Sequence, residues 1–312
     1  MIPGQLINDS AVVLGAYENG SEEWHAARAT GLGGSEISAL VGLNPWESWF
    51  STYYRKRDKL RPVEASNPMK WGTLFEPVIY EEFRRNHLAP GLTMTTGHTF
   101  HHKDRRWQIA NPDGLIWDKT GKLIKILEIK LAGNDEKWGP DGTDQIPIYY
   151  RCQLAWYCDV MGVNQAILRA VISSYDERTY YVTITDEDRQ FLREHGWQFI
   201  QDLEAGNEPN LDGHMATYRA IKEMHPLIDG SVVQLPTALA DRFWAKKDAM
   251  DAATEGFNEV RNEVAMKMGM ARMAMCGDEK IAYRIRPRKE GDDPYVKAAT
   301  RPPKTDIIAA AA

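Results

Sequence analysis

Apolar positions along the chain switch period more than once, and the switches outline the fold. Residues 21–62 read as helices. Ser21 before Glu23 and Trp24 starts the first, Ser35 caps a second that runs to about Gly42, and Pro45 and Trp46 open a third. From Trp71 to His87, Leu74, Phe75, Val78, Ile79 and Phe83 recur at helical spacing, with Pro77 in the first turn or at a kink. The pattern then shifts to strands at His98–Lys103, Trp107–Ala110, Leu115–Trp117 and Lys122–Leu131, with turns at Asn-Pro-Asp-Gly (111–114) and Asp-Lys-Thr-Gly (118–121). A helix over Tyr149–Met161 follows. Then come strands at Val163–Ser174 and Thr179–Thr185, and a long helix from Asp186 to about Ala205. This order predicts a mixed α/β (α+β) core, a central sheet flanked by helices.

The texture changes near 207–235, where Gly, Pro, Asp and His accumulate. Pro236–Met270 reads as one long helix or a helical hairpin, and Cys276–Arg286 as a short hairpin. Residues 287–312 are expected to be mobile. The expected division is a core over 1–207 and a mainly helical extension with a basic tail over 208–312.

Composition narrows the classes. The 312 residues are 43% hydrophobic and 26% charged, which suits a folded globular protein rather than a disordered one. No apolar run approaches the roughly 20 residues of a membrane span, and the early stretch Ala11–Tyr17 lacks the basic start of a secretory signal. A soluble, cytoplasmic protein is expected. Its three cysteines, Cys152, Cys158 and Cys276, are too few and wrongly spaced for a disulfide framework or a cysteine zinc site. The net charge of −6 argues mildly against nonspecific nucleic-acid binding. Two basic clusters stand against that balance: Arg55, Lys56, Arg57, Lys59 and Arg61, and the tail Lys280–Lys304. Each is either a nucleic-acid contact or a solvated face.

The strand Lys122–Leu131 carries the chemistry. Side chains alternate along a strand, so Ile124, Ile126, Glu128 and Lys130 share one face. A carboxylate and an ammonium beside apolar neighbours need compensation, from each other or from a metal ion. Asp113 lies in the preceding turn, and a hairpin would bring it to Glu128. Two carboxylates and a lysine make an all-oxygen site suited to a hard cation such as Mg²⁺. The glycines of Gly31–Ser35 permit close backbone approach to a phosphate, with Arg28 as an added grip. No Gly-Lys-Ser/Thr follows, so this is not a Walker loop. His98, His101 and His102 fall on opposite strand faces, which disfavours a shared zinc. Trp46, Trp49 and Trp71 suit core packing better than base stacking, and Met266, Met268, Met270, Met273 and Met275 suit core packing better than a subunit interface.

Pro112-Asp113 followed by Glu128-Ile129-Lys130 resembles the PD-(D/E)XK nuclease signature. Further segments occur in order: Arg28-Ala-Thr-Gly-Leu-Gly-Gly-Ser35-Glu-Ile, Gly42-Leu-Asn-Pro-Trp, Trp71-Gly-Thr-Leu-Phe-Glu76-Pro and Cys152-Gln153-Leu-Ala-Trp-Tyr. Together they resemble the YqaJ-type viral recombinase family, relatives of phage lambda exonuclease, over roughly residues 21–205. The resemblance implies a restriction-endonuclease-like core. It implies metal binding by Asp113, Glu128, the Ile129 carbonyl and Glu76, a water-orienting Lys130, and Gln153 on the following helix. It also implies that Arg28 and Ser35 hold the 5′-phosphate of the cut strand.

The expected activity is Mg²⁺-dependent 5′→3′ degradation of one strand of linear double-stranded DNA, with two ions and with Mn²⁺ as a potential substitute. The family implies a homotrimer and a single-strand annealing protein as partner in phage-type recombination. Three other readings compete: an endonuclease or nickase of the same superfamily, a non-catalytic DNA-binding scaffold, and a phosphometabolite enzyme using the Gly31–Ser35 loop.

Overall fold

A computed structural model of the chain describes every residue except 19, 62, 63, 65, 174, 288–290, 302, 303 and 312. It divides into two compact units, Met1–Pro226 with Pro302–Ala312, and Leu227–Arg301. The division falls at 226/227 rather than 207/208, because the helix Met215–Met224 belongs to the first unit, where it packs on Trp49–Lys56.

In the first unit the elements run β1 (Leu6–Ile7), β2 (Ala11–Gly15), α1 (Glu22–Ala29), β3 (Leu32–Gly33), α2 (Gly34–Leu40), α3 (Trp49–Lys56), α4 (Asn67–Asn86), β4 (Thr93–Thr96), β5 (Thr99–His102), β6 (Gln108–Ala110), β7 (Gly114–Trp117) and β8 (Leu123–Ala132). They continue with α5 (Ile148–Met161), β9 (Gln165–Ile172), β10 (Asp176–Thr183), α6 (Asp186–Ala205) and α7 (Met215–Met224). The strands form two mixed sheets, in the orders β1-β2-β5-β6-β3 and β10-β9-β8-β7-β4. In the second, β8 and β9 are parallel while the other pairs are antiparallel. Parallel neighbours need a long crossover, and α5 supplies it. Its sequence is apolar on nearly every side, so it is buried from Arg151 to Met161. It ends at Gly162 in the left-handed conformation that glycine tolerates best.

Trp156 is the pivot of this helix. It is 1% exposed, and its indole Nε1 donates to the carbonyls of Leu32 (3.2 Å) and Ile109 (3.0 Å). One side chain thus ties the crossover helix to the parallel pair β3–β6 of the other sheet.

The apolar stretch at 11–17, outside the elements predicted from sequence, contributes strand β2. Three first-unit expectations are corrected. Gly33, not Ser35, occupies the N-cap of α2, and Ser35 sits in its first turn. Ser48 caps α3, three residues beyond Pro45. Helix α4 begins at Asn67, capped by Ser66, so Pro77 lies in its interior and cannot donate to the Thr73 carbonyl. Of the α4 stripe, Ile79 and Phe83 are buried against β7, β8 and β9, whereas Leu74, Phe75 and Val78 are exposed.

In the second unit, α8 (Thr237–Met268) is one continuous helix, and β11 (Met273–Cys276), β12 (Glu279–Ile285) and β13 (Tyr295–Ala298) form an antiparallel sheet. The short hairpin is therefore three-stranded, since β13 adds residues expected to be mobile. Met268 is buried, but Met266, Met270, Met273 and Met275 are exposed, against the expectation of core packing. Arg288 and Lys289 of the basic tail lie outside the described residues. The chain then adds α9 (Ile307–Ala311) to the first unit, packed on α5 and α6 with Ile307 fully buried. No helix among the described residues is long and apolar enough to cross a membrane.

Trp156→Ala should lower the unfolding free energy by about 3–5 kcal/mol, as loss of a large buried aromatic does. Urea denaturation followed by far-UV circular dichroism measures this, and a loss below 1 kcal/mol, roughly that of an average substitution, would contradict the pivotal role.

Candidate functional site

The site forms where the β7–β8 ladder ends. Gly114 pairs with Leu127, and beyond that pair β8 continues alone on this side. The N–H of Ile129 has no strand partner there, and the Asp113 carboxylate accepts it at 2.7 Å. N–H and C=O of one strand residue point to the same side, so the Ile129 carbonyl faces this space too. Asp113 is held by its own backbone as well: its carbonyl accepts from Gly97 N at 3.0 Å. Any side chain at Gly97 would clash, because a Cβ there would lie 1.5 Å from the Pro112 oxygen.

Glu128 and Lys130 lie on the same face of β8, as alternation requires. Lys130 Nζ donates to Glu128 Oε1 at 2.6 Å, and Gln153 Nε2 on α5 donates to the same oxygen at 2.7 Å. Glu128 is 2% exposed, and its other oxygen, Oε2, is buried without a hydrogen-bond partner. A carboxylate oxygen left this way carries a large desolvation cost. Glu76, half-buried on α4, feels the charges of Glu128 and Lys130 and so completes the group.

The electrostatics follow from this crowding. Burial raises the Asp113 pKa well above the ordinary value of 3.8, and Glu128 and Glu76 raise it further. Burial, then Glu128, raises Glu76. Burial also raises Glu128, with Lys130 and Gln153 pulling the other way. Burial alone would lower the lysine, but the Glu128 carboxylate dominates and holds Lys130 above its ordinary value, firmly protonated. Such a lysine donates hydrogen bonds and positive charge and does not accept a proton. It also lies 5.0 Å from the centroid of the Tyr150 ring.

The donor set is all oxygen: three carboxylates and a strand carbonyl. That set, with an unbonded buried Oε2, fits a hard divalent cation. A second acidic group, Glu82, His87 and Glu177, also brings its ligand atoms together. There, however, the buried Arg169 donates to Glu82, to Glu177 and to Thr179, so both of those acids already meet a cation that the fold supplies.

Arg28 and Ser35 meet as expected, with Arg28 Nη2 donating to Ser35 Oγ at 2.8 Å. The loop amides are not all free, since Gly33 N–H donates to Glu36 Oε2 at 2.7 Å. Glu36 is half-buried, and desolvation would raise its pKa, but Lys56 at 2.9 Å and Arg28 at 4.0 Å lower it overall. Tyr157 joins the two halves of the site. Gln153 Nε2 lies 3.2 Å from its hydroxyl, and its ring lies so close to Gly34 that a Cβ there would be 2.5 Å away. Any other residue at 34 would push Tyr157 and hence Gln153.

All seven side chains singled out thus fall into two linked groups: Asp113, Glu128, Lys130, Gln153 and Glu76, and Arg28 with Ser35. Tyr157, Glu36 and Lys56 were not foreseen. Tyr157 stands four residues after Gln153, the same-face interval of a helix, and Glu36 three after Gly33 completes a capping box, so both had a spacing signal. Lys56 was seen only as part of a basic cluster. Two of that cluster's five cations are ion-paired, Lys56 with Glu36 and Arg55 with Glu47. His98 and His101 each contact a main-chain carbonyl. Trp46 and Trp71 are exposed, whereas Trp49 packs on Phe199. Cys152 and Cys158 are buried free thiols, and Cys276 is an exposed one.

Comparison with known proteins agrees with the motifs. The model of the YqaJ-like viral recombinase domain matches residues 23–164. The YqaJ protein of Bacillus subtilis is 23% identical over 278 residues, 86% of this chain and 84% of that one. Protein D345L of African swine fever virus (isolate Tick/South Africa/Pretoriuskop Pr4/1996) is 40% identical over 138 residues, 41% of this chain. The match spans 36% of the viral protein's length. Among solved structures, the alkaline exonuclease LHK-Exo from Laribacter hongkongensis covers 60% of this chain and 94% of its own, at 17% identity and a TM-score of 0.46. Asp113, Glu128, Lys130, Gln153, Arg28 and Ser35 all lie inside the segment, residues 23–164, that matches the YqaJ-like viral recombinase domain.

Proposed function

We propose that this protein is a divalent-metal-dependent nuclease that degrades one strand of linear double-stranded DNA from its 5′ end. The observation that carries this reading is the buried acidic site at the end of β7, with Glu128 Oε2 left without a hydrogen bond. Asp113, Glu128 and the Ile129 carbonyl would hold Mg²⁺, with Glu76 contributing directly or through water, and a second ion or Mn²⁺ in place of Mg²⁺ belongs to the same reading. Bound there, the cation supplies positive charge to the phosphate under attack and to the departing 3′-oxygen.

The chain's own residues do the rest. Lys130, fixed by Glu128 and permanently charged, donates to the attacking water and to the phosphate oxygen, so that it orients the nucleophile without taking its proton. Gln153 holds Glu128 in place and is itself positioned by Tyr157. Arg28, backed by Ser35, receives the terminal 5′-phosphate and sets which phosphodiester reaches the carboxylates. Hydrolysis forms one bond from water oxygen to phosphorus and breaks the bond to the 3′-oxygen. The exposed apolar stripe of Leu74, Phe75 and Val78 beside Glu76 supports a homo-oligomer, a trimer by family resemblance. A 3′ single strand left by this reaction is the substrate of a single-strand annealing protein, the partner in recombination.

With Mg²⁺, a linear duplex labelled separately at each strand end should lose its 5′ label as mononucleotide, while closed circular DNA stays intact and EDTA stops the reaction. Cutting of the circle would instead establish an endonuclease. Glu128→Gln should reduce the rate by about 10²–10³-fold or more while gel-shift binding persists; cleavage at the wild-type rate would refute the metal assignment.

Arg28→Ala should reduce the rate ratio between 5′-phosphorylated and 5′-hydroxyl ends by about tenfold or more, the worth of a charge-assisted hydrogen bond. An unchanged ratio would remove Arg28 from phosphate recognition.

The raised Asp113 pKa gives a pH signature. A carboxyl whose pKa is higher folded than unfolded contributes stability that is complete below the unfolded value and lost as pH rises through the folded one. In EDTA, Asp113→Asn should therefore gain Tm over wild type as pH rises from 5 to 8. Mg²⁺ should raise the wild-type Tm at pH 8 and leave the variant unmoved. A pH-independent difference between the two would refute the buried charge.

A further inference from the structure

Helix α8 carries an exposed seam with coiled-coil spacing. Leu239, Phe243, Met250, Phe257 and Val260 are each 43–63% exposed. Set Phe243, Met250, Phe257 and Val264 at position a of a heptad; Leu239, Ala253 and Val260 then fall at d, with Lys246 and Lys267 the polar exceptions. Alternating steps of three and four hold from Leu239 to Val264. That is about 3.7 heptads, enough for a coiled coil, and about 38 Å of helix at 1.5 Å per residue. The repeat does not look inward, because Met268 is the buried residue of this helix.

We propose that this seam pairs with α8 of a second copy of the chain, antiparallel, about a two-fold axis near residues 251 and 252. Charge selects that occupant and that direction. A parallel pair stacks like on like in the core, Lys246 on Lys246 and Lys267 on Lys267, and sets Arg242 at g against Lys247 at e of the second copy. The antiparallel pair matches each a with a d. When Met250 meets Ala253 of the second copy, Phe243 meets Val260 and Leu239 meets Val264. Lys246 meets the Phe257 ring, a cation against an aromatic face. On the flanks, g meets g and e meets e. Arg242 then lies against Glu263 of the second copy, twice by symmetry, and Ala249 against Gly256. Lys247, which also bonds Asp251 of its own helix, faces Thr254. A shift of one heptad in either direction loses this pairing. One shift sets Lys247 against Arg261 and the other sets Lys247 against Lys247. The register with opposite charges and no like charges on the flanks is thus unique among the three. It is isologous, so it closes at two copies of the seam.

The full-length chain tests this by sedimentation equilibrium. With a monomeric or trimeric first unit, wild type should have at least twice the mass of Phe257→Asp, a substitution at an exposed position whose folding circular dichroism verifies. Equal masses would overturn the proposal and point to an intramolecular cover for the seam or to a different partner. Arg242→Glu and Glu263→Arg should each weaken pairing about tenfold or more, read near the wild-type midpoint. An equimolar mixture of the two should regain it, since in the mixed pair both flank contacts between positions 242 and 263 again set a guanidinium against a carboxylate. Halved masses that mixing does not restore would refute the antiparallel register, as would charge variants that pair as wild type does.

Discussion

Three acidic side chains share one partly buried space, and the fold is arranged around keeping them there. Asp113 is oriented by an N–H that is free only because the β7–β8 ladder stops at Leu127, two residues before Ile129. Glu128 is oriented by Lys130 from its own strand and by Gln153 from α5. Gln153 can reach it because α5 must cross between the parallel strands β8 and β9, and that crossing buries the helix. A change to the strand order would remove the crossover and with it one of the two donors on Glu128. The parallel pair is therefore as much a part of the site as the carboxylates.

The contrast with Arg169 shows what separates a structural charge cluster from a reactive one. Glu82, Glu177 and His87 surround a guanidinium that the chain itself provides. Around Asp113 and Glu128 the chain supplies one lysine for three carboxylates, and one buried oxygen stays unbonded. In the first arrangement both acids meet the guanidinium; in the second, one buried carboxylate oxygen meets no donor. The two differ in burial as well as in charge: around Arg169 the acids are partly exposed to solvent, whereas Glu128 is buried with one lysine among three carboxylates.

Much of this was legible in the sequence because it rests on short-range rules. Alternation along β8 put Glu128 and Lys130 on one face. The turn Asn-Pro-Asp-Gly put Asp113 at a strand end, and the helix from Asp186 to about Ala205 matched the one found, Asp186–Ala205. What escaped depended on long-range packing. Nothing local says that Leu74, Phe75 and Val78 of an amphipathic stripe stay exposed while Ile79 and Phe83 are buried, since that depends on how far α4 overlies the sheet. Ser35 looked like a cap because its type suits one, but Gly33 precedes it and Glu36 supplies the reciprocal bond. Strand β13 was invisible for a similar reason: Tyr295–Ala298 is too short to register except through its partner β12. Lys56 belonged to a basic cluster by sequence and to an acidic residue on another helix by structure.

The return of α9 to the first unit changes how the chain can be taken apart. Read linearly, residues after 226 form a tail, and a cut there would be expected to free the core of its appendage. In the fold they are an excursion. Ile307 is fully buried among the side chains of α5 and α6, the same α5 that carries Gln153 and Trp156. Shortening the protein from its C-terminal end would unplug that notch before any of the second unit is lost, and proteolysis within 227–301 would leave two fragments still clasped through the core. A version of the first unit alone therefore has to keep the final helix as a plug.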